Sequence, residues 1–143
     1  SKTNRVIGLG AGRMGYSLRS FIMRLSHIGF HAYMIGDTSL PRVAQNDLVL
    51  INSSSGNTPS IALYAKQAKE AGAQIILLTA SIDSSIEKIS NQVIRYKVTN
   101  DMQLMKTVHE QFSMLLFDHI AHRIVEDAKI DISFIEHNHS ILE

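Results

Sequence analysis

Asp47-Leu48-Val49-Leu50-Ile51-Asn52-Ser53-Ser54-Ser55-Gly56-Asn57-Thr58-Pro59 passes from a strand, through a polar turn, into a helix. The apolar run from Leu48 to Ile51 has the pattern of a parallel strand buried on both faces. In the turn, three consecutive serines, a glycine that lets the backbone bend and a threonine hydroxyl offer converging donors, as a phosphate requires. Thr58 takes the N-cap position and Pro59 the first helical position, where its missing N–H costs nothing. The free N–H groups of that helix start, with the positive end of its dipole, favour a dianion. No lysine lies in the loop, so it is not a nucleoside-triphosphate P-loop. A plain serine-rich capping turn has the same composition; what points to a ligand is the loop's place at the carboxyl end of a buried strand.

Around this stretch strands and helices alternate. Arg5 to Leu9 predicts a first strand, and from Tyr16 to Ile28 the residues Leu18, Phe21, Ile22, Leu25 and Ile28 repeat at helical spacing until Gly29 breaks the pattern. His31 to Ile35 is a second strand and Asp47 to Ile51 the third. Pro59 to Ala71 reads as a helix with Ile61, Ala62, Ala65 and Ala68 inward. Gln74 to Thr79 predicts a fourth strand, Ser84 to Ser90 a short helix capped by Asp83 or Ser84, and Gln92 to Val98 a fifth strand. From Met105 to about Asp127, Met105, Val108, Phe112, Leu115, Ile120 and Ile124 predict one long helix; Ile132 to Glu143 is a weakly patterned tail. The expected fold is α/β, a three-layer αβα sandwich around a five-stranded, mostly parallel sheet of flavodoxin- or Rossmann-like type. No repeat or linker divides residues 1–143, which read as one domain. Ligands in such sheets bind at the carboxyl ends of the strands, so functional residues are expected just after Leu9, Ile35, Ile51 and Thr79.

Bulk composition narrows the function classes. The 143 residues carry 14 Lys+Arg against 13 Asp+Glu, with no basic stripe, so nucleic acid is not implied. The absence of cysteine rules out disulfides and thiolate metal sites. With no membrane-length apolar run and no signal-peptide pattern, a cytoplasmic protein without a membrane partner is expected. His119 and His122 share a helix face at i, i+3, but nothing frames them as a metal site, and no metal or cofactor is expected.

Gly10-Ala11-Gly12-Arg13-Met14-Gly15 is a literal G-x-G-x-x-G between a strand and a helix, and Asp37 follows the next strand. That is the arrangement of a dinucleotide site. Glycines at a tight turn also serve close helix–strand packing with no ligand at all, and Arg13 suits either a phosphate contact or a solvated charge.

Taken in order, these segments resemble the sugar isomerase (SIS) domain family, and within it the 6-phospho-3-hexuloisomerases. The matching segments are Gly10–Gly15, Ser20–Phe30, Asn52–Thr58, His109-Glu110-Gln111 and the terminal His139-Ser140-Ile141-Leu142-Glu143. The resemblance implies a sugar-phosphate substrate held by the hydroxyls of Ser53, Ser55 and Thr58 and the backbone N–H of Ser54, with Gly12 and Arg13 of the first loop beside them. It implies isomerisation, the carbonyl moving between adjacent carbons through an enediolate. Glu110 matches the family's base and His139 its C-terminal histidine, which assists ring opening or proton transfer, often in a neighbouring subunit's site. A homodimer or homotetramer with shared active sites is therefore expected, and no cofactor.

Several positions depart from the family pattern. Met14 stands in place of a serine, Asn52 and Ser54 in place of glycines, Asn57 in place of a glutamate, Lys106 in place of a glycine, and Ile141 in place of an asparagine. His109 replaces an aromatic and either perturbs Glu110 or fills the packing slot. The departures leave a second reading open, a non-catalytic phosphosugar sensor. A third, the nicotinamide-binding protein, does not account for the serine loop.

Overall fold

The computed structural model describes residues 5–98 and 102–141; Ser1 to Asn4 and the last two residues of the C-terminal phrase, Leu142 and Glu143, lie outside the described residues. The apolar runs form the strands β1 (Val6–Leu9), β2 (Ala32–Met34), β3 (Leu48–Asn52), β4 (Gln74–Thr79) and β5 (Gln92–Arg95). They make one sheet in the order β2-β1-β3-β4-β5, and every pairing is parallel, where a mostly parallel sheet was expected. The helices are α1 (Gly12–Ile28), α2 (Pro59–Glu70), α3 (Thr107–Ala128) and α4 (Ile132–His137).

Strand side chains alternate between faces, and this divides the core in two. Val6, Leu50 and Leu78 meet Leu18, Phe21, Ile22 and Leu25 of α1 and Phe117 and Ala121 of α3. Ile7, Leu9, Val49, Ile51, Ile75 and Leu77 meet Ile61, Ala65 and Ala68 of α2 and the loop residue Ile86. The result is the three-layer sandwich, with α4 added beside α1. Below the strands' carboxyl ends Phe21 stacks on Phe117 at 4.9 Å between ring centroids, joining α1 to α3. Among the described residues no helix is long and apolar enough to cross a membrane.

Some element limits differ from the sequence expectation. α1 starts at Gly12 rather than near Tyr16, so Gly12 and Arg13 belong to its first turn. β5 ends at Arg95 rather than Val98. The short helix shrinks to one 3-10 turn, Glu87–Ile89, whose N-cap is Ile86 rather than Asp83 or Ser84; the Ser84 hydroxyl still accepts the Glu87 N–H at 3.3 Å. The tail contains α4, because Lys129 takes a left-handed conformation that stops α3 and Asp131 caps the new helix by accepting the Ser133 N–H.

The largest difference lies along α3. Its buried residues are His109, Ser113, Phe117 and Ala121, an i+4 row, while Met105 and Leu115 are mostly exposed. Val108, Phe112, Ile120 and Ile124 flank the row half-buried. Hydropathy located the helix but not its inward centre line, because two of the four inward residues are polar and are buried only where partners meet them.

Gly10 and Gly15 are in direct backbone contact: a Cβ on Gly15 would lie 2.5 Å from the Gly10 oxygen. Gly15→Ala is expected to destabilise the fold by roughly 1–3 kcal/mol, because a backbone atom cannot swing aside. Chemical denaturation measures this; an unchanged midpoint would show that the close approach is not needed.

Candidate functional site

The chain leaves β1 for β2 on one side, and β3 lies on the other. The loops after β1 and β3 therefore diverge and open a crevice at the carboxyl ends of these strands, the switch point where open α/β sheets take ligands. The start of α3 closes the crevice. The cavity measures about 290 Å³ and brings together Arg13, Ser53, Ser54, Ser55, Thr58 and Glu110, with Met14, Lys106 and Asn52 also on its wall.

The serine loop is pinned from below. The Ser53 N–H donates to Leu78 O, and Ser54 O accepts from the Ala80 N–H and from Thr79 Oγ1. Gly56, at φ +60°, turns the chain; a Cβ there would meet Ser84 Oγ at 2.2 Å. Its N–H donates to the oxygens of Ser53, and Asn57 Oδ1 accepts the Ser85 N–H at 2.8 Å. Asn57 thus fastens the loop to the segment after β4. Thr58 stands at the N-cap, yet its hydroxyl takes no helix N–H. The start of α2 thus presents its N–H groups without a side-chain cap, as an incoming anion requires.

Glu110 projects from the first turn of α3, its side chain only 18% exposed, with Oε2 2.6 Å from Arg13 Nε. The alignment of this contact is that of an ion pair without a directed hydrogen bond, so charge holds the carboxylate. Lys106, the residue before α3, adds a second cation to the rim. In the sequence Lys106 registers only as a departure from a glycine; its cationic place in the pocket comes from the fold.

Beneath the cavity lies a buried polar cluster. Asn52 is fully buried, and its Nδ2 points at Met14 O (3.1 Å), Ser17 Oγ (2.9 Å) and Ser113 Oγ (3.2 Å). Its Oδ1 lies 2.6 Å from His109 Nε2, and His109 Nδ1 meets the Tyr96 hydroxyl. The protons follow from the partners. The Met14 carbonyl only accepts, so the amide nitrogen faces it and the amide oxygen faces His109. His109 therefore donates from Nε2 and accepts at Nδ1 from the Tyr96 O–H. Burial lowers the His109 pKa from 6.5 to about 4, which keeps the ring neutral at physiological pH. His109 fills the packing slot and is hydrogen-bonded there.

Not every expected residue reaches this cavity. Gly12 lines a separate hollow of about 220 Å³ with Gly10, Gly15 and Arg19. His139 packs its ring beside His27, at 4.9 Å between centroids, near the carboxyl end of α1. The cavity lies at the amino end of α1, about 25 Å away along a 17-residue helix. Asp37 does not offer a free carboxylate to a ribose. Partial burial raises its pKa, but bonds from the Met34 N–H at 2.7 Å and from Arg19 at 2.8 Å hold it below the usual value. With the close approach of Gly10 and Gly15, this explains the G-x-G-x-x-G turn through packing, and the dinucleotide reading loses its support. His122 is within 3.3 Å of Glu126, and among the described residues no group of three or more potential metal ligands converges.

The chain is similar to known proteins over most of its length. The family model of the SIS domain matches residues 1–119. A 3-hexulose-6-phosphate isomerase of Bacillus subtilis is 33% identical over 153 residues, covering 99% of this chain and 81% of the relative. Another 3-hexulose-6-phosphate isomerase, from Methanocaldococcus jannaschii, is 32% identical, covering 96% and 77%. A crystal structure of a hypothetical protein from Methanococcus jannaschii, for which a molecular function of 3-hexulose-6-phosphate isomerase was inferred, superposes with a TM-score of 0.94. It is 31% identical, with 99% of this chain and 80% of that one covered.

The buried histidine makes an acid limit. The folded ring titrates near 4 and the unfolded ring near 6.5, so between these values the unfolded chain binds more protons. The contribution of His109 is complete above about pH 6.5 and is lost as the pH falls towards 4, by on the order of 3 kcal/mol at most. Denaturant unfolding at stepped pH should show this slope in the wild type and a shallower one in His109→Phe; equal slopes would remove His109 as the cause.

Proposed function

The chain belongs to the SIS domain family, and on that premise we propose that it is a sugar-phosphate isomerase acting on a ketohexose 6-phosphate. The observation that carries the reading is the shared cavity: a hydroxyl-rich loop at an uncapped helix start faces a carboxylate across a space of monosaccharide size. The phosphate lies against Ser53, Ser55 and Thr58, with the Ser54 N–H and the start of α2. Arg13 and Lys106 supply the countercharge that the loop itself lacks, and Gly12 contributes only by shaping the turn that carries Arg13.

Glu110 acts as the base. It removes the proton from the carbon next to the carbonyl, and the electron pair of that C–H bond forms the carbon–carbon double bond of an enediolate. The carbonyl oxygen takes the negative charge, which Lys106 or Arg13 stabilises. The neighbouring hydroxyl passes its proton to the negatively charged former carbonyl oxygen, Glu110 returns its proton to the former carbonyl carbon, and the neighbouring carbon becomes the new carbonyl. Proton and electron counts balance without an oxidant, so no redox cofactor is called for. The Arg13 contact gives substrate binding a second role: a phosphate that draws Arg13 towards the loop frees the Glu110 carboxylate.

His139 is too far from the cavity of its own chain and serves that of a neighbouring subunit, in a homodimer or homotetramer. The exposed Met102, Leu104 and Met105 supply an apolar rim near the cavity for such a contact.

Glu110→Gln should reduce turnover of 3-hexulose 6-phosphate by at least about a hundredfold while sparing binding, general-base loss being worth this much. Coupled spectrophotometric assay and calorimetry separate the two effects. Wild type that binds hexulose and pentulose phosphates but turns none over would replace this reading with the phosphosugar sensor. In a thermal-shift series, sugar phosphate at a hundred times its Kd should stabilise the protein by about 2.7 kcal/mol. NAD should leave it unchanged; stabilisation by NAD alone would refute the phosphate loop.

A further inference from the structure

His109 stands one residue before Glu110, and Asn52 one residue before Ser53. The 2.6 Å bond from His109 Nε2 to Asn52 Oδ1 therefore links the two elements that carry the base and the phosphate loop, immediately beside both. We propose that His109 is a positioning residue for the isomerisation: through Asn52 it sets the separation of the Glu110 carboxylate from the serine loop. This rests on the assignment of Glu110 as the base.

Three features of the cluster support the role. First, it is tied to both sides of the cavity. Ser113 Oγ donates to the Glu110 carbonyl at 2.8 Å and Ser17 Oγ to the Met14 carbonyl at 3.0 Å, so each hydroxyl leaves lone pairs for the Asn52 amide. The amide's two N–H groups are shared among Met14 O, Ser17 Oγ and Ser113 Oγ. α1, β3 and α3 thus meet at one carboxamide. Secondly, the orientation is determined. The carboxamide cannot flip without turning its oxygen towards the Met14 carbonyl, and His109 cannot rotate without losing Tyr96, whose ring packs on Phe112 at 4.2 Å and tilts over His109 at 5.2 Å. Thirdly, His109 is 1% exposed and Asn52 fully buried, so a lost partner leaves a buried polar atom unsatisfied.

Packing alone would not need this arrangement. A hydrocarbon ring could fill the volume of His109 but would leave the buried Asn52 Oδ1 without its donor. The amide would then reorient, and Glu110 would move relative to the phosphate. Proton transfer to carbon tolerates little misplacement, whereas phosphate binding by loop hydroxyls depends on the loop's own bonds to Leu78, Thr79 and Ala80. The effect therefore falls on kcat more than on KM.

The test compares His109→Phe, His109→Gln, Asn52→Ala and the double variant His109→Phe/Asn52→Ala, each assayed well below its Tm. His109→Phe should lower kcat about tenfold or more, while KM and the inhibition constant of inorganic phosphate stay within about twofold. His109→Gln, whose amide N–H can reach the same oxygen, should recover part of that loss. The double variant should be no slower than the worse single one, as partners in one bond require. Unchanged kcat in His109→Phe, parallel losses in kcat and phosphate affinity, or no advantage of glutamine over phenylalanine would each overturn the proposal. If His109→Phe does not fold, Tyr96→Phe, which removes only the donor to Nδ1, takes its place with the same expected split. Long-range 1H–15N spectra of the wild type should show the Nε2–H tautomer at neutral pH; Nδ1–H would also overturn it. A wild type inactive on every hexulose phosphate would refute the isomerase reading itself, and this inference with it, whereas an active wild type with an unaltered His109→Phe refutes the inference alone.

Discussion

The Asn52 carboxamide, buried at the carboxyl end of β3, is the interaction on which the site's geometry depends. A side-chain amide without partners in a closed interior costs several kcal/mol, so it is retained only where donors and acceptors converge on it. Here the Met14 carbonyl, two serine hydroxyls and the His109 ring do so. The partners come from two helices: the first two turns of α1 and two consecutive inward positions of α3. The amide thus replaces a patch of apolar core with a polar joint that accepts only one arrangement of these segments. The stacked pair Phe21 and Phe117 lies below it as the first apolar layer.

Above the joint, the sheet topology does the rest. The strand order opens a crevice between the ends of β1 and β3, and the 3.6-residue period of α3 turns His109 inward and Glu110 outward. Adjacent residues on one helical turn thereby divide two tasks, one securing the helix and the other facing the cavity. The cavity is mixed in charge. Arg13 and Lys106 are exposed cations at its edge, whereas the carboxylate of Glu110 is largely enclosed. A doubly negative substrate would meet the cations first and the carboxylate last, the order that brings a phosphorylated sugar in without repelling it.

Much of this was legible in the residues. The strands, the main helices and the three layers follow from hydrophobic periodicity, and the proposal of a phosphate loop from hydroxyls beside a proline-started helix. Other parts were not. The G-x-G-x-x-G turn spells a dinucleotide motif, and only the 2.5 Å approach of a hypothetical Gly15 Cβ to Gly10, with the engagement of Asp37, shows its packing purpose. Asn57 counts as a lost carboxylate in the sequence and as a loop fastener in space. His139 stands in the terminal phrase as a site residue, yet its own chain places it against His27.

The linear sequence determined the local terms: which segments are strands or helices, where hydroxyls gather at a helix start, and which carboxylate opens the long helix. These depend on residues within a few positions of one another, where period, capping and turn chemistry operate. Tertiary structure alone decided which polar residues are interior. His109 and Ser113 carry no hydrophobic signal, and their burial is favourable only because Asn52, 57 and 61 residues away, meets them with complementary donors and acceptors. A hydrogen bond across such a separation has no periodic trace in the chain, so the serine loop can be read from its letters, but not the joint that aims it at Glu110.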